Sequence, residues 1–63
     1  MNEDELNMQM RKFLKEVGVT SQREIEKAIA AAKKTGGKVR LRTHLTSPDV
    51  PLDHVVEREI DLG

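Results

Sequence analysis

A chain of 63 residues with 11 basic and 11 acidic side chains carries no formal net charge, which removes the long-range attraction that defines most nucleic-acid binders. It has no Cys and a single aromatic residue, Phe13, so it has no disulfide staple, no thiolate chemistry and no stacking platform for bases or a flavin. One domain, 1–63, is the sensible count for this length, and chains so short bury only about 60% of their unfolded surface.

No apolar run approaches the roughly 20 residues of a membrane span. The acidic opening Glu3-Asp4-Glu5 has no apolar h-region, so a signal peptide is not expected, and a cytoplasmic setting fits the missing cysteines. The first helix is predicted from about Glu3 to Val17, with Asn2 as N-cap and Glu5 in capping-box position. Leu6, Met10, Phe13, Leu14 and Val17 recur at helical spacing as one stripe, and Gly18 fits the left-handed position after a helix end. A second helix is predicted from Thr20 or Ser21, with Ser21 and Glu24 as a capping box and Val19 as a staple-like residue. Its apolar face is Ile25, Ala28, Ile29 and Ala32, with Lys33 and Lys34 closing it and Gly36-Gly37 stopping it. The Gly18-Val19 turn would make a tight αα corner.

Strict alternation then takes over. Lys38, Arg40, Arg42 and His44 alternate with Val39, Leu41, Thr43 and Leu45, while Glu57, Glu59 and Asp61 alternate with Val56, Arg58, Ile60 and Leu62. That period marks half-buried strands, at about 38–45 and 55–62, paired antiparallel. One register sets Arg40 opposite Asp61, Arg42 opposite Glu59 and His44 opposite Glu57. It also sets Val39 opposite Leu62, Leu41 opposite Ile60 and Leu45 opposite Val56, so one face is apolar and the other an ion-pair ladder. The expected fold class is α+β: two N-terminal helices packed on a C-terminal two-stranded antiparallel β-hairpin, in the order α-α-β-β, over a core of medium-sized side chains.

Little here carries chemistry. His44 and His54, even with Asp49 and Asp53, lack the tight ligand spacing of a zinc site. Ser21 reads as a cap and Ser47 as a turn residue before Pro48, while Glu57, Glu59 and Asp61 project from a solvated face beside arginines. Gly36-Gly37 lacks the pattern of a phosphate loop. No catalytic, cofactor or metal residue is expected, no small-molecule substrate, and no enzyme activity. Two helices around a tight turn with a following hairpin do resemble the latter part of a winged helix-turn-helix. In that alternative Gln22 and Arg23 approach base edges, and Lys38, Arg40 and Arg42 form the wing. Against it stand Glu24 and Glu26 on the presumed reading helix, the missing N-terminal helix and first strand, and the zero net charge.

The segment from Arg11 to Glu26, RKFLKEVGVTSQREIE, together with the opening Met1-Asn2-Glu3-Asp4, Asn7 and the charged strand pair, resembles a family of small bacterial proteins of unknown function. The resemblance implies a complete, stand-alone cytoplasmic polypeptide and supplies no activity, cofactor or catalytic residue. Within it, Thr20-Ser21-Gln22-Arg23-Glu24 reads as a cap and solvated turn, or else as a partner-recognition epitope at the αα corner. The expectation is a non-enzymatic protein that works by protein–protein contact, as a homodimer or with another protein. The contact would use a strand edge or the surface of Met10, Phe13, Leu14, Gln22 and Arg23.

Overall fold

The Asn2 side-chain oxygen accepts hydrogen bonds from the backbone N–H groups of Asp4 at 3.1 Å and Glu5 at 3.2 Å. Those bonds satisfy two of the donors that every helix start leaves without intrahelical partners. Glu3, Asp4 and Glu5 fill the first turn, where the helix dipole favours negative charge. The predicted cap is therefore present, in a computed structural model that describes residues 2–63. Met1, part of the opening that carries the family resemblance, lies outside the described residues.

From this cap α1 runs without interruption over Glu3–Ala31, 29 residues. One helix, not two, precedes the hairpin, and the expected αα corner at Gly18-Val19 is not formed. A glycine inside a helix costs only about 1 kcal/mol relative to alanine, and the apolar rhythm does not break at Gly18. Val17, Ser21 and Ile25 continue at intervals of one turn. The residues expected to start a second helix serve the first one instead. Thr20 donates its Oγ1 hydrogen to the Glu16 carbonyl at 2.7 Å, the bond by which a mid-helix threonine satisfies its hydroxyl. Gln22 donates to Glu26 at 3.2 Å, and Lys27 reaches Glu24 at 3.4 Å, both pairs at helical neighbour spacing.

The far end also differs from expectation. The N–H of Ala32 donates to the Ala28 carbonyl and that of Lys33 to the Ala30 carbonyl, both at 3.0 Å. Lys33 then takes a left-handed φ of 54°. A lysine therefore terminates the helix, ahead of Gly36-Gly37, and neither Lys33 nor Lys34 extends it. Gly37 contributes its own left-handed φ of 82° where the chain enters the hairpin.

The hairpin comprises β1, Lys38–Thr46, and β2, Asp53–Asp61, paired antiparallel. The faces are those the alternation predicts, but the register is displaced by two positions. Arg40 opposes Glu59 and not Asp61; Arg42 opposes Glu57; Val39 opposes Ile60; Leu41 opposes Arg58; His44 opposes Val55; Leu45 opposes His54. The connection decides this. Ser47 Oγ accepts the backbone N–H groups of Asp49 at 3.1 Å and Val50 at 3.4 Å, and Leu52 N–H donates to the Val50 carbonyl at 2.8 Å across Pro51. These local turns shorten the loop to Ser47–Leu52, so that Thr46 pairs with Asp53. At the open end Leu62 N–H donates to the Gly37 carbonyl at 2.8 Å, continuing the same register beyond the strands.

The chain divides into two compact units, Met1–Lys33 and Lys34–Gly63. Neither the helix nor either strand has a buried residue among those described. The expected core of medium-sized side chains is therefore not buried among the described residues. Short chains meet this situation by oligomerisation or by staples, and cysteine staples are absent here. Half-buried residues are Ser21, Ile25 and Ile29 on the helix, Val39, Leu41, Leu45 and Leu62 on one hairpin face, and Gly36 and Ser47 in the connections.

An added Cβ at Gly18 meets nothing within 4 Å. Gly18→Ala is therefore expected to raise thermal stability by about 0.5–1 kcal/mol, with higher helical ellipticity by circular dichroism. A corner at Gly18 would give the opposite sign. Lys33→Gly removes the left-handed strain of a side-chain-bearing residue and should stabilise the helix end by about 1 kcal/mol in urea titrations.

Candidate interaction surface

Successive helical residues turn by about 100°, so one continuous helix lays Leu6, Met10, Phe13, Leu14 and Val17 along the same side as Ser21, Ile25, Ala28, Ile29 and Ala32. Met10, Phe13 and Leu14, three of the predicted contact residues, are brought together on this stripe. They are 47%, 53% and 55% exposed, which is unusual for large apolar side chains sharing one face. Leu6 and Val17 widen the patch. Both belong to the stripe expected from helical spacing but lie outside the expected contact residues. The signal that joins them to Ile25 is the unbroken four-residue step from Val17 through Ser21.

Gln22 and Arg23 do not form an epitope at a corner, because no corner exists. Both lie in the middle of α1, Gln22 on the flank of the stripe with its amide given to Glu26, and Arg23 on the side away from it. The predicted recognition helix following a turn is thus absent, and the helix-turn-helix alternative loses its geometric basis.

The basic row assigned to a wing is occupied by acids of the neighbouring strand. Lys38 reaches Glu59 at 3.3 Å, Arg40 reaches Glu57 at 3.4 Å, and Arg42 reaches the same Glu57 at 3.0 Å. The first two are diagonal pairs, two residues along β2 from the residue directly opposite. Glu57, less exposed than Glu59, is the shared acceptor of both arginines. His44, expected beside Glu57, instead has its Nε2 2.6 Å from Asp53 Oδ1. Arg58 stands opposite Leu41 on the face that carries the strands' half-buried apolar residues together with Thr43 and His54, and its guanidinium donates to the Glu57 carbonyl at 2.9 Å.

The chemistry available to this surface is limited. Among the described residues no group of three or more His, Cys, Asp or Glu side chains is placed to hold a metal ion. An open groove of about 510 Å³ lies along Asp4, Asn7, Met8, Arg11, Lys12 and Lys15. All of its lining comes from one helix, so it has one wall and does not surround a ligand as substrate pockets do. No helix is long and apolar enough to cross a membrane.

The profile of a family of unknown function, DUF6494, matches residues 1–63. The chain belongs to that family. No curated protein and no solved structure matches it. Membership in DUF6494 agrees with the resemblance carried by the Arg11–Glu26 segment and, like it, assigns no activity. The helix stripe and the charge ladder described above are thus the features from which a role for this DUF6494 chain has to be argued.

The ladder is solvated, so its pairs should contribute little each. A double-mutant cycle with Arg42→Ala and Glu57→Ala, followed by urea unfolding, should give a coupling below ~1 kcal/mol that shrinks as salt is added. A coupling well above that value would identify the pair as a desolvated contact.

Proposed function

We propose that this chain is a non-enzymatic cytoplasmic protein that acts by protein–protein contact, with self-association as its first such contact. The observation that carries this reading is the apolar stripe of Leu6, Met10, Phe13, Leu14 and Val17, each at least 38% exposed, on a helix with no buried residue. A helix face of this composition gains free energy only when something covers it, at about 25 cal/mol per Å² of apolar area removed from water. The edges of a two-stranded sheet offer a second route of contact through main-chain hydrogen bonds. The one-walled groove and the solvated, cross-paired carboxylates support a binding role over catalysis.

Sedimentation equilibrium from micromolar to millimolar protein tests the reading. The mass should rise from 7.1 kDa toward twice that value with concentration, and Phe13→Asp, which places a charge on the stripe, should hold the protein at the monomer mass. A wild-type mass of 7.1 kDa at every concentration would remove self-association from the proposal.

A further inference from the structure

The stripe is not uniform along its length. Its N-terminal half is built of large side chains, Leu6, Met10, Phe13, Leu14 and Val17, and its C-terminal half mostly of small ones, Ser21, Ala28 and Ala32 with Ile25 and Ile29. Leu6, Met10, Leu14, Val17, Ser21, Ile25, Ala28 and Ala32 follow each other at steps of 4, 4, 3, 4, 4, 3 and 4. That is an eleven-residue repeat of about 3.67 residues per turn, close enough to 3.6 for the stripe to run almost straight along the helix. Charge is graded too. Glu3, Asp4 and Glu5 form the first turn, and Lys33 follows the last.

We infer that the stripe is covered by the same stripe of a second copy of this chain, with the two helices antiparallel and centred on Val19. This rests on the self-association reading above and specifies its geometry. In that arrangement Leu6 faces Ala32, Met10 faces Ala28, Phe13 faces Ile25 and Val17 faces Ser21, and all four pairs share one midpoint, position 19. Large side chains meet small ones at Leu6, Met10 and Val17, which favours filling an interface without voids or clashes, while Phe13 meets the larger Ile25 and Leu14 comes level with Glu24. Asp4 and Glu5 come level with Lys34 and Lys33 of the second copy and Lys12 with its Glu26, while Arg11 comes level with its Lys27. The positive end of each helix dipole lies next to the negative end of the other. A parallel pair fails on each count. It stacks Glu3, Asp4 and Glu5 against their own copies, crowds Phe13 against Phe13, and leaves a thin, poorly filled region at Ala28 and Ala32.

The absence of native cysteine makes the geometry directly testable. Met10→Cys and Ala28→Cys are prepared as separate full-length chains, checked for wild-type helicity, mixed, and oxidised at a concentration where wild type is dimeric. The antiparallel pair predicts a covalent dimer in the mixture, linked from position 10 to position 28, and loss of that band when either variant is oxidised alone. Like positions would then sit about 27 Å apart along the helices, beyond the reach of a disulfide. Leu6→Cys with Ala32→Cys repeats the test independently and serves if the first pair perturbs folding. Cross-linking of Met10→Cys with itself would overturn the antiparallel arrangement while keeping self-association. A dimer by mass that forms neither mixed link would place the contact on another face and overturn the inference. A protein that stays monomeric by sedimentation would overturn the inference and the reading beneath it together.

Discussion

Everything in the N-terminal unit depends on the backbone hydrogen-bond ladder passing through Gly18 without a break. A single glycine lowers the local preference for helix, but it does not remove a hydrogen-bond donor as proline would, and its neighbours remain in phase on both sides. Once the ladder holds, two short amphipathic segments become one stripe along a helix of about eight turns. Thr20, Ser21 and Glu24 then change roles. A threonine suited to capping returns its hydroxyl to Glu16, and a serine suited to starting a helix becomes part of its apolar side.

The hairpin obeys a different constraint. Its charge ladder selects which side of each strand faces which way, because the side-chain period of a strand is two. The ladder does not select among registers that differ by two residues, since each still brings a base opposite an acid. Local turns at Ser47 and Pro51 break that near-degeneracy by closing the loop over Ser47–Leu52. Lys38 and Arg40 then pair diagonally and Arg42 directly across, with Glu57 shared between Arg40 and Arg42. Long-range pattern thus sets polarity, and short-range turn chemistry sets alignment.

These two cases show what was legible in the sequence. The Asn2 cap, the acidic first turn, both strands to within two residues and both hairpin faces follow from residue type and period alone. The continuity of the helix is harder to see, because Gly18 and the Ser21-Glu24 spacing imitate punctuation, while the sign of continuity is the phase of Val17, Ser21 and Ile25. The helix end was misread because a left-handed lysine at position 33 is an uncommon terminator, and two glycines nearby carry the stronger signal. Met10, Phe13 and Leu14 were found as an exposed group because spacing is enough to bring them together. Gln22 and Arg23 stand in mid-helix and not at a corner, because the chain continues as one helix through Gly18.

The two-residue displacement of the hairpin has a consequence for how such a chain tolerates change. An insertion or deletion of two residues within either strand would keep every apolar side chain on its own face, and bases would still meet acids. A change of one residue would turn part of a strand over and set Val39, Leu41 and Leu45 among the charges. The hairpin therefore carries a reading frame of its own, with a period of two.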